Sequence, residues 1–475
     1  MSPILLYFII SAILSISIIL FKNKTFTKIT VIAYVIALIC FTIYAWMNLN
    51  KTGLLYFSFN PIGVLLLSVL SVLAIPTFYH GFIYTAKNET KKYNIYHAAL
   101  IVLMTAMTGV YLANGMMMLW IFVEATTLAV AALIYHDRTE MALEATWKYV
   151  FICSIGIALA YLGILFLGFI YGGGGAANLS FVELTGILNH SNPLFLKIAF
   201  VFVVIGFSTK MGLFPMHTVT IDAHSVAPPP ISALISTTLM NVGFLSIFRV
   251  YTLFSSSSII GFMNHVLILS GVLSLLVAAG YMLKAKHLKR MLAYSSLENM
   301  GMVAIAIGIG GMGYYAAILI IVLHSFTKSS LFYQMGQLSR VLHTFNLDES
   351  GRYMKLYPSG AMVLLVGTFC ILALPPSGLF FTEILMLKAM AFNDMWLLMA
   401  ITVILLCCVI YAMSTRVMHV LFSEPRNTPE GNNNQVNSVE TVSQFILILI
   451  VAILCFYHPP FLDDIIYQSI TLLPK

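Results

Sequence analysis

Charged residues are scarce in this chain. Of its 475 residues, 9% are Asp, Glu, Lys or Arg, whereas 60% are hydrophobic. A soluble domain has about a quarter of its residues charged. The composition therefore excludes a soluble globular protein. The net charge of +7 does not indicate nucleic-acid binding, because the basic residues are divided among short loops between apolar runs.

Motifs for redox centres, metals and nucleotides are also missing. All six cysteines lie inside apolar runs and none forms a C-x-x-C pair, which argues against disulfides and iron–sulfur ligation. No phosphate-binding glycine loop occurs. We therefore expect no cofactor, no metal site and no catalytic residue in this chain.

What the sequence does contain is a series of long apolar runs. At about 20 residues per crossing, they predict an all-α polytopic membrane protein with about 14 transmembrane helices. The predicted helices span residues 3–21, 29–47, 61–86, 95–113, 115–134, 147–171, 194–213, 229–253, 261–283, 291–309, 313–341, 359–391, 396–421 and 441–457.

The basic residues predict the orientation of these helices. Lys and Arg are concentrated in alternate loops, most densely at residues 284–290, and such loops lie on the cytoplasmic side. We therefore expect a multi-pass protein of the cytoplasmic membrane with both termini outside the cytoplasm. Residues 423–440 are rich in Asn, Pro and Glu, which favours a polar cytoplasmic linker before the last helix at 441–475.

Predicted helix seven contains a buried charge next to a break. Lys210 lies within the apolar run, and the stretch from Pro215 through His217, Asp222 and His224 interrupts it. A charge at mid-membrane costs about 2.5–3.5 kcal/mol on insertion scales and usually lines an ion or proton path. Lys210, His217 and His224 are therefore candidate path residues. Asp222 is a weaker candidate, since the polar residues of the break also hydrogen-bond exposed backbone.

Three further polar residues lie near this region. Glu124 is flanked by apolar residues in predicted helix five, so it is a candidate acid in the path. Lys148 starts predicted helix six, where an interfacial lysine that reaches toward the headgroups is the simpler interpretation. Asn241 lies midway along predicted helix eight and can hydrogen-bond to other helices.

The second half of the chain repeats the pattern of buried charge. Glu298 lies early in predicted helix ten, and His324 and Lys328 lie four residues apart in helix eleven. Residues at i and i+4 share a helix face, so the imidazole and the amine form a candidate proton relay.

Predicted helix twelve has a second break. Pro375 and Pro376 interrupt it, and Glu383 and Lys388 follow. Broken helices seven and twelve are five helices apart, and an odd number of helices per repeat reverses the orientation of the repeat. The pattern predicts two inverted five-helix repeats, residues 95–258 and 259–422, after scaffold helices at 1–94, with the functional site at the repeat interface.

Several of these stretches together resemble the antiporter-like membrane subunits of respiratory complex I and of Mrp-type cation/proton antiporters. They are residues 206–218, 222–225 and 288–296, the pair His324-x-x-x-Lys328, and Glu124 in its tryptophan-preceded helix. Within that superfamily, residues 296–301 and 375–383 look most like hydrogenase-4 component F of membrane-bound group 4 hydrogenases.

The resemblance implies roles for individual residues. Glu124 corresponds to the family's glutamate in helix five, Lys210 to its lysine in helix seven, and Glu383 to its acidic residue in helix twelve. The chain departs from the family at Asn241, where some branches have lysine, and at Ile320, where a histidine is expected.

The resemblance also implies function and partners. We expect a subunit that moves H+ or Na+ across the bilayer, driven by other membrane subunits of a complex I-like or hydrogenase assembly, with no nucleic acid bound. Three alternatives stay open: a Mrp-like Na+/H+ antiporter subunit, the membrane half of an inorganic-carbon uptake module, and a structural anchor.

Overall fold

The structure is a computed structural model that describes residues 2–54, 56–171, 180–181, 184, 191–424 and 436–474. It is built almost entirely of helices, with one small hairpin. The α-helices are α1 Pro3–Leu20, α2 Lys24–Met47, α3 Pro61–Thr85, α4 Thr90–Leu112, α5 Met116–Ile134, α6 Glu140–Tyr171, α7 Pro193–Met211, α8 Thr218–Val226, α9 Pro229–Leu234, α10 Met240–Phe254, α11 Ile260–Met282, α12 Leu288–Ile309, α13 Met312–Leu342, α14 Tyr353–Leu356, α15 Pro358–Ile371, α16 Gly378–Phe392, α17 Trp396–Phe422, α18 Val442–Phe456 and α19 Pro460–Ile470.

Short elements complete the fold. Strands β1 Thr52–Leu54 and β2 Phe57–Ser58 pair antiparallel. Single 3-10 turns cover Tyr135–Asp137 and Ser438–Thr441, and a π-helical segment, Ile235–Leu239, joins α9 to α10.

Thirteen helices of the described chain are long and apolar enough to cross a membrane. One of these spans, Pro229–Phe254, combines α9, the π segment and α10. The remaining predicted helix, at 359–391, is divided into α15 and α16, and each half is too short to span alone. The polytopic all-α fold and the break in helix twelve are therefore confirmed. The inverted repeats stay a prediction.

Several helices begin at an Asn or Ser that precedes a proline. The Asn60 side chain accepts a hydrogen bond from the Gly63 amide at 2.8 Å, and Asn192 accepts from Leu194 at 2.9 Å. Each is followed by proline, which has no amide hydrogen to leave unpaired in the first turn. Such starts explain why these helix boundaries are predictable from sequence.

The predicted start of helix six is wrong by two turns. The α6 helix begins at Glu140, where residue 147 was expected, because the Thr139 hydroxyl accepts from the Ala142 amide at 3.1 Å. That cap places Glu140 on the helix itself, and Lys148 no longer lies in the first turn.

Helices seven and eight also differ in detail from the prediction. The interruption after helix seven is a complete nine-residue helix, α8. Predicted helix eight contains the π segment, and the Thr238 carbonyl within it accepts a hydrogen bond from the Tyr111 hydroxyl at 2.7 Å. A π segment widens the helix and leaves carbonyls available to such partners.

The chain divides into two compact units. Unit 1 comprises residues 1–228, 238–263 and 464–475, and unit 2 comprises residues 229–237 and 264–463. Unit 1 contains Glu124, Lys210 and α8, and unit 2 contains Glu298, Lys328 and the break before α16. The predicted polar linker 423–440 falls mostly outside the described residues.

Candidate functional site

Lys210 lies in the last turn of α7, directly before the break. Its side chain is 2% exposed, and its Nζ donates to the Tyr149 hydroxyl at 3.0 Å. The same Nζ lies 5.0 Å from the centre of the Tyr149 ring. Gly212 ends the helix with φ of +75°, a conformation that glycine adopts without strain. The break therefore places a buried amine at a helix end.

Close helix packing brings Tyr149 to that amine. A Cβ at Gly206 would lie 2.5 Å from the Gly156 carbonyl oxygen, and a Cβ at Gly156 would lie 2.4 Å from the Thr209 methyl. The α6 and α7 backbones can approach this closely because neither glycine has a side chain. Tyr149 lies seven residues before Gly156 on α6, so it faces α7 at the level of Lys210.

Glu124 is half-buried on α5 and accepts a hydrogen bond from Thr127 at 3.3 Å. It interacts electrostatically with Lys210. Within the part of the chain that the structure describes, no salt bridge of 4.0 Å or less includes either residue. Glu124 and Lys210 therefore do not form a closed ion pair in this conformation.

The polar residues of the break lie around α8. Asp222 lies 3.9 Å from Lys148, which also contacts Glu144 at 2.5 Å. The His217 ring stacks on Phe214 with centroids 5.9 Å apart, and His224 is completely buried. Lys148 is half-exposed, which fits its interfacial interpretation, and Asp222 links α8 to α6. Asn241, on α10, is also completely buried.

In unit 2, Lys328 is completely buried on α13. Its Nζ donates to the Leu292 carbonyl at 2.6 Å and to the Ser295 hydroxyl, both on α12. His324 lies one turn earlier on α13 and is equally buried. The predicted arrangement of the two titratable side chains on one helix is therefore present.

Two of the candidate carboxylates lie in the same unit as Lys328. Glu298, on α12, is 4% exposed, and its carboxylate accepts a hydrogen bond from the side-chain amide of Asn299 at 2.6 Å. It interacts electrostatically with Lys328 and with Glu383. Glu383 is half-buried on α16, the helix that follows the break. Lys328, Glu298 and Glu383 thus all belong to unit 2, the first two buried and the third half-buried. Lys388, on the same helix, is exposed and lies 5.7 Å from the centre of the Phe392 ring.

Sequence reasoning did not find the hydrogen-bond partners of the two lysines. Tyr149, Leu292 and Ser295 come from helices distant in sequence. Leu292 and Ser295 lie in the stretch 288–296 noted above, but nothing in that stretch predicts a contact with Lys328. Arg249 was also missed: it lies on α10, 5.1 Å from the centre of the Phe181 ring. A scan for every charged residue in the predicted helices would have found Arg249.

Comparison with known proteins places these features in a family. Residues 113–408 match the family model described as NADH:quinone oxidoreductase/Mrp antiporter, TM. A hydrogenase-4 component F homolog from Methylacidiphilum infernorum (isolate V4) is 33% identical over 372 residues, covering 77% of this chain and 76% of the relative. A Na(+)/H(+) antiporter subunit from Alkalihalophilus pseudofirmus is 24% identical over 455 residues, covering 92% of this chain and 90% of the relative.

A solved structure shares the fold. A chain of the membrane-bound sulfane sulfur reductase, an archaeal respiratory membrane complex, superimposes with a TM-score of 0.87 at 20% identity, covering 100% of this chain and 98% of that one. The region that the family model matches, residues 113–408, contains five of the candidate path residues: Glu124, Lys210, Glu298, Lys328 and Glu383. This chain belongs to the NADH:quinone oxidoreductase/Mrp antiporter transmembrane family.

Proposed function

We propose that this chain is the ion-translocating membrane subunit of a larger assembly and that it moves protons through buried Glu, Lys and His side chains. The proposed path residues are those of the two buried clusters and the break after α7. They are Glu124, Lys210, His217, His224, Glu298, His324, Lys328 and Glu383.

One observation carries the proposal. Each unit buries a lysine whose Nζ is hydrogen-bonded to uncharged oxygen atoms, with carboxylates in electrostatic range. Among the described residues no carboxylate lies within 4.0 Å of either amine. A structural ion pair would be closed to offset the cost of burial. An amine held by neutral partners can exist charged or neutral, as proton transfer requires.

The same chemistry favours protons over sodium ions. Na+ is a hard cation that oxygen ligands hold, and an ammonium group repels it. A lysine at the centre of each cluster therefore suits a path for protons better than a path for Na+. One relative is named as a Na(+)/H(+) antiporter subunit, so sodium dependence is the alternative to be measured.

We also propose that other membrane subunits drive this movement. The relatives are named as a hydrogenase-4 component and an antiporter subunit, and the structural neighbour belongs to a respiratory membrane complex. Co-purification from native membranes in mild detergent tests this proposal. Hydrogenase-like and iron–sulfur subunits would support a redox-driven assembly, whereas only similar membrane chains would favour a Mrp-like one. The external position of both termini remains part of the proposal.

The experiment for the path itself replaces Lys210. Lys210→Ala should reduce proton uptake by the reconstituted assembly to background, a loss of about a hundredfold or more, because the relay lacks its amine. The matched control is Lys197→Ala on the same helix, whose amine lies over the Phe262 ring at 5.3 Å. Equal amounts of assembled complex with unimpaired uptake in Lys210→Ala would overturn the proposal.

A further inference from the structure

Helix α11 carries a row of exposed leucines that the proposed relay does not use. Leu269, Leu276 and Leu283 are spaced by seven residues, so they lie on one side of the helix. They are 61%, 54% and 41% exposed, and all three belong to unit 2. On a membrane helix such side chains are covered by lipid chains, which are as apolar as leucine itself. The row leads to the point where α11 ends.

A guanidinium group from α17 binds that end of α11. The Arg416 Nη2 donates to the Leu283 carbonyl at 3.0 Å. The last carbonyls of a helix have no partner inside the helix and carry partial negative charge, so an arginine stabilises them. One such hydrogen bond uses only one of the five N–H groups of a guanidinium. Arg416 therefore keeps donors for a second partner.

Two exposed lysines follow in the chain. Lys284 and Lys286 come directly after the carbonyl that Arg416 binds, so the backbone places three cations around one helix end. Among the described residues, no carboxylate lies within 4.0 Å of any of the three. The cluster thus has no counter-charge from the part of the chain that the structure describes.

The loop after α13 meets this cluster without neutralising it. The Leu347 amide donates to the Lys286 carbonyl at 2.8 Å, so the loop lies beside the end of α11. Its Glu349 accepts instead from the Thr344 hydroxyl of the same loop at 2.9 Å. Neither Glu349 nor Asp348 comes within 4.0 Å of the three cations. The counter-charge must therefore come from another molecule.

A tyrosine lies between the leucine row and the cations. Tyr281, in the last turn of α11, is 57% exposed, and its ring stacks on that of Tyr294 with centroids 5.0 Å apart. Tyrosines are enriched at the level of the lipid headgroups, where the ring meets lipid chains and the hydroxyl meets water. Tyr281 therefore indicates that α11 ends at the headgroup level, where phosphate groups lie.

We propose that Arg416, Lys284 and Lys286 bind the phosphate of an anionic phospholipid whose chains lie along the exposed leucines of α11. A guanidinium binds phosphate oxygens through paired N–H groups, and the two ammonium groups add positive charge. An acidic segment of a partner protein could neutralise the cations, but a phospholipid also covers the leucines beside them. The inference concerns binding and does not depend on proton movement.

The length of the helix limits how far the lipid reaches. One leaflet contributes about half of a hydrocarbon core of about 30 Å, which corresponds to about ten residues of helix. A lipid whose phosphate lies at Lys284 therefore covers Leu283 and Leu276. Leu269 lies fifteen residues before Lys284, in the region of the opposite leaflet.

Native mass spectrometry of the full assembled complex, titrated with phosphatidylglycerol, tests the site. The double variant Lys284→Gln/Arg416→Gln should bind the tightest phosphatidylglycerol about tenfold or more weakly, because the phosphate loses two cations. Lys284→Gln alone removes no contact among the described residues, so folding should be unaffected, and it should weaken binding about fivefold. The matched control is Lys87→Gln/Lys91→Gln, two exposed lysines of unit 1, which should bind as the unchanged chain does.

Each other result would overturn the proposal. Unchanged affinity in Lys284→Gln and in the double variant would show that the lipid does not meet these cations. An equal loss in Lys87→Gln/Lys91→Gln would show that binding follows total charge. Displacement of phosphatidylglycerol by an equal concentration of inorganic phosphate would indicate a site for free phosphate. Loss of a co-purifying subunit from Lys284→Gln, with no phosphatidylglycerol bound, would assign the cations to an acidic partner.

Photocrosslinking tests where the chains lie. Phosphatidylglycerol with a diazirine at the end of one acyl chain should crosslink to the peptide that contains Leu276. It should leave Leu269 unlabelled, because that residue is beyond the reach of one leaflet. Equal labelling of the two leucines would contradict a lipid held by its phosphate at the end of α11.

Discussion

The two units hold their buried lysines with different partners. Lys210 in unit 1 meets the phenol of Tyr149, whose hydroxyl can both donate and accept. Lys328 in unit 2 meets the Leu292 carbonyl, which only accepts, and the Ser295 hydroxyl. Both hydroxyls can also donate to a neutral amine, so each environment suits either protonation state of its lysine. The difference is that Lys328 keeps a backbone acceptor, the Leu292 carbonyl, when its hydroxyl partner is removed, whereas Lys210 is held by the phenol.

The acids near the two lysines also differ. Unit 1 places one half-buried carboxylate, Glu124, in electrostatic range of its lysine. In unit 2, Glu298 interacts electrostatically with Lys328 and also with a second acid, Glu383. The acid that interacts with Lys328 is therefore coupled to α16, the helix that carries Glu383.

The largest expected effect comes from removing the lysine of unit 2. Lys328→Ala should abolish proton uptake as completely as Lys210→Ala, because both amines are proposed relay members and a path stops at a missing step. Lys355→Ala, an exposed lysine of the same unit, is the control and should behave as the unchanged chain. Substantial uptake in Lys328→Ala would confine the path to unit 1.

A second effect concerns the packing that both units share. Gly271 and Gly301 bring α11 and α12 together as Gly156 and Gly206 do for α6 and α7, and a Cβ at Gly271 would lie 2.6 Å from the Gly301 carbonyl oxygen. Gly271→Leu should destabilise the protein by about 1–3 kcal/mol through overpacking. Gly280→Leu on the same helix is the control, since no atom lies within 4 Å of its Cβ position. Thermal unfolding in detergent measures both; equal melting temperatures would contradict the close contact.

Removing a hydrogen-bond partner of either lysine should have a smaller and more selective effect on proton uptake. Tyr149→Phe keeps the ring beside Lys210 but removes the hydroxyl, and should slow proton uptake about tenfold. Ser295→Ala should slow it less, because the Leu292 carbonyl still binds Lys328. The control is Tyr161→Phe, a tyrosine of the same helix that packs on Trp120. A larger loss in Ser295→Ala than in Tyr149→Phe would contradict this difference in hydrogen-bond partners.

The smallest effect lies outside the membrane spans, at the starts of α5 and α12, which carry Glu124 and Glu298. The α5 helix begins after Gly115 without a side-chain cap, whereas His287 caps α12 by accepting from the Arg290 amide at 3.4 Å. Burial, aided by Lys289 and Arg290, lowers the pKa of His287 to about 4.

A lowered histidine pKa means that the folded state prefers the neutral ring. Its contribution to stability is complete above the ordinary pKa of about 6.5 and decreases as the pH falls from there toward 4. The unchanged chain should therefore lose a small part of its thermal stability between about pH 7.5 and pH 5, and His287→Asn should lose less. Identical pH profiles would contradict this role of the cap.

Some features of this molecule are encoded locally and were predictable. Gly212 and the pair Pro375–Pro376 end helices by their own backbone geometry, so both breaks were placed correctly. The buried charges were recognisable from the cost of burying them in apolar runs. His324 and Lys328 needed only helical spacing.

Other features depend on contacts that a single sequence does not reveal. The π segment forms where Tyr111, more than a hundred residues away, donates to Thr238. Tyr149 meets Lys210 because glycines on two helices coincide in space. Packing between distant elements, which local pattern does not encode, decided both.

The central claim is that protons move through buried acid–base groups. The most direct measurement is proton uptake by the reconstituted assembly in sodium-free medium, with the unchanged chain, Glu124→Gln, Glu298→Gln and the exposed control Glu89→Gln. We predict uptake without sodium by the unchanged chain and by Glu89→Gln, and background levels in the other two. Uptake that requires sodium, or that survives both substitutions of a buried glutamate, would contradict the claim.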